Sequence, residues 1–268
     1  MIDWRHWHNE PYLIGGLILT GWLYALATGP LRERLAPGQS YDRWRAISFY
    51  GSLLLFYLAV GSPLDQIGER FLFSAHMAQH TLLIYPVAVL WIAGLPPWMV
   101  DVYATRGPGR QLAGFMLRPM VCALSYIIVQ SAWHVPDLYD LALRDRLVHV
   151  LEHVMFFGTA LMFWWPVMNP STVWPPLKHG SRMIYLILVG VGLTPLFAYI
   201  TFSPDVLYPT YEFAPRLIPN FSPAQDQLLA GAIMKLGSVT VTFIALAVVF
   251  YRWYRTSEGP LAATRPAR

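Results

Sequence analysis

Residues 147–168 read LVHVLEHVMFFGTALMFWWPVM. A bilayer core about 30 Å thick needs roughly 20 helical residues at 1.5 Å each, so this run is long enough to cross it. Its apolar residues are continuous and do not alternate, which argues for a helix and against a barrel strand. His149, Glu152 and His153 all fall in the first seven residues, so the polar groups gather at one end of the span.

Working outward, six further runs pass the same length test, at residues 11–28, 44–60, 71–95, 119–133, 183–201 and 228–254. The second and fourth are the shortest in purely apolar residues. Across all 268 residues the apolar share is 56% and the charged share 13%, too few charges to cover a soluble protein of this size. The eleven tryptophans and fifteen tyrosines, many of them near run ends, resemble interfacial aromatic belts. The expected fold is therefore an all-α integral membrane protein of about seven transmembrane helices. Residues 1–256 form one polytopic domain, and 257–268 a short disordered tail. Residues 1–10 lack the basic patch and short apolar core of a cleaved signal, so the first run is expected to be retained as a span. Pro86, Pro166 and Pro195 lie inside spans, where a kink is tolerated if neighbouring helices serve the freed carbonyls.

Orientation follows from the basic residues. Arg32, Arg34, Arg43, Arg45, Arg106, Arg110, Arg118, Lys178, Arg182, Arg252, Arg255, Arg265 and Arg268 fall on one side. Only Arg5, Arg70, Arg144, Arg146 and Arg216 fall on the other, and Lys235 lies within the last run. Positive-inside bias places the thirteen in the cytoplasm, the N-terminus outside and the C-terminus inside. The basic residues form no single stripe, so nucleic acid is not an expected partner. Membrane lipid is.

With that orientation, five histidines share one depth on the outer side. His76 and His80 open the third span, His134 ends the fourth, and His149 and His153 open the fifth. His6 and His8 are also external, and His179 is cytoplasmic. Each H-x-x-x-H pair puts two imidazoles on one helix face, and imidazole is the commonest metal ligand. A helix-end histidine can equally bond only water or headgroups, but two pairs and His134 at matched depth point to a metal. Asp226 opens the seventh span at the same level, and Glu152 shares a face with His149. Copper, zinc, iron and nickel all suit such ligands, with affinity order favouring copper. Met77 offers a thioether, although a methionine in an apolar helix is more often core filler. Cys122, the single cysteine, lies in an apolar run and reads as core packing. Lys235 reads as snorkelling or pairing with a carboxylate, and Asp65 as a helix-terminal residue or one that orients an imidazole. The aromatic, proline-rich loop 203–224 is read either as a lid over the bundle or as a segment resting among headgroups.

The ordered series "HMAQHTLL", "GLPPW", "SAWHVPDLYDLAL", "VHVLEHVMFFGTALMFWWPV", "FAYITFSPDVLYPTYE" and "DQLLAGAIMKLGS" resembles the multi-span CtaG-type cytochrome c oxidase assembly factors over roughly residues 40 to 250. Lys235 stands where that pattern carries a tryptophan. The resemblance implies a non-enzymatic membrane protein that matures a haem-copper oxidase by supplying copper. It implies a cytochrome c oxidase subunit as recipient, an external copper chaperone upstream, and the cytoplasmic (inner) membrane as its place. The metal site is then expected at His76, His80, His134, His149, His153 and Asp226. The alternative is a membrane metalloenzyme using zinc or iron, with Glu152 or Asp226 as general base. No H-E-x-x-H, G-x-S-x-G, P-loop or C-x-x-C signature supports it.

Overall fold

A computed structural model describes residues 7–262, and within them every regular element is helical. Six helices are long and apolar enough to span a membrane: Pro11–Thr28, Arg43–Gly61, Phe73–Gly94, Arg146–Met168, His179–Phe202 and Pro223–Ser257. The remaining crossing is Pro119–Trp133, only 15 residues long, which the Arg110–Met116 helix meets at 70°. These seven are numbered below in chain order as the first to seventh spans, and the protein is an all-α membrane protein. Rows of large apolar side chains face outward, among them Ile184, Leu188 and Val191 on the sixth span and Leu236, Phe243 and Phe250 on the seventh. Apolar surface on that scale is what lipid covers.

The third span is the axis of the bundle, with more than half of its apolar window buried. Phe73, Met77, Ile84, Tyr85 and Ile92 on it share one core with Phe163 and Trp164 of the fifth span, Leu186 and Ile200 of the sixth and Ala230 of the seventh. A smaller cluster of Tyr24, Ala46, Phe49 and Leu53 joins the first two spans to its lower end. There, a Cβ built on Gly94 lies 2.7 Å from the Phe49 backbone, so only glycine lets the second and third spans approach this closely. Arg45 donates to the carbonyls of Ala93 and Leu95 at 3.1 and 2.8 Å, satisfying acceptors that a helix end leaves open.

Pro86 and Pro195 both mark irregularities in their spans. Pro86 sits in a π turn, Leu83–Val87, and the Trp164 indole of the fifth span donates to the Ile84 carbonyl at 3.1 Å. Pro195 opens the second half of the sixth span, which breaks after Gly192. At that break Lys235 donates to Thr194 Oγ1 at 3.0 Å and lies over the Phe197 ring, so its partners are a hydroxyl and an aromatic face. The last helix runs on to Ala262, so the first six residues of the expected disordered tail continue it; adding a residue to a formed helix is far easier than nucleating one. The remaining residues of that tail, and His6, lie outside the described residues.

Two short helices build the histidine-bearing end. Pro63–Arg70 follows the second span and starts at Ser62, whose hydroxyl caps the Leu64 amide. Pro136–Arg144 links the fourth and fifth spans. The 203–222 loop folds over both. Thr210 donates to Asp140 at 3.0 Å, and the Tyr208 hydroxyl donates to the His134 carbonyl at 2.9 Å. Tyr208 and Tyr211 are buried and Phe213 points outward, so the loop is a lid.

Candidate metal centre

The i,i+4 spacing does what the sequence predicts. His76 and His80 turn their Nε2 atoms toward each other at 2.8 Å. His153 comes alongside from the fifth span, with its ring 5.4 Å from that of His80 and 6.2 Å from that of His76. One ligand atom from each of His76, His80, His153 and Glu152 lies within 4.8 Å of all the others, and all four residues are buried. Nitrogens bound to one ion at about 2.0 Å sit roughly 2.8–3.4 Å apart at ordinary coordination angles, so the observed spacing suits a shared ion.

Hydrogen bonds on the far side of each ring fix which nitrogen faces inward. His149 Nδ1 meets Glu69 Oε1 at 2.8 Å. His134 Nδ1 meets the Gln130 carbonyl at 2.6 Å. His76 Nδ1 lies 3.2 Å from the Tyr211 hydroxyl, whose own proton goes to the Gly68 carbonyl at 2.7 Å. A carbonyl, a carboxylate and an oxygen whose proton is already committed can only accept. All three histidines therefore carry a proton on Nδ1, and in the neutral ring each presents Nε2 as a lone pair. Metal-binding histidines are held by outer partners in this way.

Glu152 completes the case. It is fully buried, and neither of its oxygens has a hydrogen-bond partner. Oε1 is 4.0 Å from His80 Nε2, and Oε2 is 4.0 Å from His149 Nε2, too far for hydrogen bonds in either case. His149 Nε2 and His153 Nε2 are likewise buried without partners. Buried polar groups are almost always satisfied, and an unpaired buried carboxylate costs several kcal/mol. A cation among these lone pairs removes that cost. The residues present thus fit a metal ion, with three imidazoles and a carboxylate around one point and the His149 nitrogen beside it.

Asp226 stands apart from the ring of histidines. Its two oxygens accept from the backbone amides of Phe73 and Ser74 at 2.7 and 3.0 Å. It caps the start of the third span, where Leu72 at the N-cap position has no side-chain acceptor to offer. His134 lies one layer across, its ring 6.3 Å from that of His80 and its Nε2 beside Met77. Asp65 does orient an imidazole, that of His8 at 2.6 Å, and also accepts from Gln79.

Two residues of the centre lie outside the six expected at the metal. Glu152 is legible as a neighbour of His149 on the helix, though not as a ligand. Glu69 carries no signal, because the Pro63–Arg70 helix brings it to His149 only through the tertiary fold. Burial works against its carboxylate, but the His149 hydrogen bond, together with the nearby charges of His149, His8 and Arg70, holds the group below the ordinary glutamate range.

Residues 22–256 match the family of cytochrome c oxidase caa3 assembly factors (Caa3_CtaG). The chain belongs to that family. The match takes in the end of the first span and the other six spans as far as residue 256, so His76, His80, His134, His149, Glu152 and His153 of this assembly factor all lie within it. No curated protein and no solved structure matches the assembly factor.

Proposed function

We propose that this assembly factor handles copper as cargo, taking it up at the outward-facing histidine end and passing it to the catalytic subunit of the oxidase, in the cytoplasmic membrane. The observation that carries this reading is the fully buried Glu152 carboxylate, unbonded at both oxygens and ringed by inward-facing imidazole lone pairs. Haem-copper oxidase assembly requires copper, and in the affinity order of divalent ions copper leads at imidazole sites. The thirteen-to-five distribution of basic residues supports the orientation.

Access to the site supports transfer over permanent storage. A cleft of about 1110 Å³ opens beside the first span, and His8, Glu10, Asp65, Glu69, Arg146, His149 and His153 are among the residues that line it. Arg146 pairs with Glu10 and donates to the Tyr12 hydroxyl, tying the first span to the fifth across this opening. A site reached by a polar path from one side and covered by a lid on the other can load and unload, whereas a closed structural site holds its ion.

Elemental analysis of the detergent-purified protein, before any metal is added, tests the reading. Copper is expected to be the predominant bound metal. Zinc or iron in its place overturns the copper assignment and favours a metalloenzyme. Glu69→Gln is expected to weaken copper binding about 10–100-fold by loosening His149, the usual cost of losing an outer partner. A competition titration reads this directly, and an unchanged affinity would remove His149 from the site.

A further inference from the structure

Met77 and His134 form a contact that ordinary packing does not explain. Both are essentially excluded from solvent, and His134 Nε2 lies 3.5 Å from Met77 Sδ. The proton of this imidazole is on Nδ1, donated to the Gln130 carbonyl. Nε2 therefore brings a lone pair, and a thioether sulfur has no proton to give. Two acceptors face each other with nothing between them. Protonating the second nitrogen would place an imidazolium in a buried setting. Among the described residues no carboxylate lies within ion-pair distance of His134 to offset that charge.

We infer that the histidine centre continues into a second, softer site, in which Met77 Sδ and His134 Nε2 bind cuprous ion. With bonds of about 2.0 Å to nitrogen and about 2.3 Å to sulfur, a tetrahedral angle sets the two ligand atoms roughly 3.5 Å apart, as found here. Thioether ligands select copper(I) over harder divalent ions. The surroundings suit a low-charge ion. The Phe156 and Tyr139 rings flank His134 at 5.8 and 6.2 Å, and the lid residue Tyr208 closes over its carbonyl. Met77 lies between His76 and His80 in the chain, and the His80 ring stands between the two sites with its Nδ1 buried and unpartnered. An ion held by few ligands here has neighbouring imidazoles to move to, which a cargo needs and a structural ion does not.

This inference rests on the copper-handling reading and specifies the oxidation state of the cargo. Full-length protein in detergent is loaded with copper(I) under reducing conditions and studied by X-ray absorption. The wild-type protein is expected to show a sulfur neighbour at about 2.3 Å, which Met77→Leu loses. Cys122, the single cysteine, is bonded to the Met116 carbonyl at the opposite end of the fourth span, so a sulfur signal that disappears with Met77 belongs to Met77. Met77→Leu is also expected to lower copper(I) and silver(I) affinity at least tenfold while leaving cobalt(II) binding at the histidine–glutamate centre unchanged. A wild-type spectrum with nitrogen neighbours only rejects the second site without needing any variant to fold, and copper handling by the histidines then stands. A protein that binds neither copper(I) nor copper(II) removes that reading and this inference together.

Discussion

Alanine at His76, His80, His149 and His153 together leaves the purified protein unable to retain copper(II) through desalting. The substitutions remove three nitrogens from a cluster whose ligand atoms converge within a few ångströms, and the His149 nitrogen beside it, so that of this cluster Glu152 alone remains, a single carboxylate to a partly hydrated ion. The loss has a second readout that does not depend on transfer activity. A ligand that binds only the folded state stabilises it by about 4 kcal/mol at a thousandfold excess over its dissociation constant. The wild-type thermal midpoint is therefore expected to climb with added copper(II), and the fourfold variant to show a flat line. Undiminished copper stoichiometry in that variant would place the metal elsewhere.

Asp226→Ala is expected to cost folding stability, and to do so without direct loss of a metal ligand. The carboxylate serves two buried amides, those of Phe73 and Ser74, at the start of the third span. A buried donor left unmade costs about 1–3 kcal/mol, so the alanine variant, with two, loses roughly 2–6 kcal/mol. The negative charge also opposes the positive end of the helix dipole, adding a smaller amount. Asp226→Asn keeps one acceptor oxygen and is expected to fall between the two. Thermal unfolding in detergent measures the order, and copper stoichiometry in Asp226→Asn is expected to match wild type. A variant as stable as wild type that has lost copper would return Asp226 to the ligand set.

The contrast between Asp226 and the histidines shows what a linear sequence can disclose. An H-x-x-x-H pair carries its geometry within one helix turn, and positive-inside bias brings separate pairs to one level, so the meeting of His76, His80 and His153 is legible before any fold is known. Asp226 sits at the same level, yet its partners lie 153 and 152 residues away, and nothing local distinguishes a cap for another helix from a ligand. Glu69 is hidden for the same reason. The lid is half legible: the aromatics of the 203–224 loop announce an interfacial segment, but its docking depends on Asp140 and on the His134 carbonyl, two groups contributed by other parts of the chain. The spans themselves are plain because their length answers to the bilayer. The bend ahead of the fourth is not: the run at 119–133 is placed by its apolar residues, but nothing in them says that the Arg110–Met116 helix meets it at 70°.

The π turn at Leu83–Val87 gives the third span a property that no straight helix has. Such a turn holds one residue more than an α turn, and one residue is worth about 100° of rotation. Above it, His76, Met77 and His80 are aimed by one angular setting; below it, Gly94 meets Phe49 by another. The segment thus acts as a phase shifter between coordination chemistry and helix contact. Excising a single residue there would close it to an α turn and leave both ends facing nearly as before, whereas excising one from an α stretch of the same span would swing the imidazoles roughly a quarter turn away from Glu152.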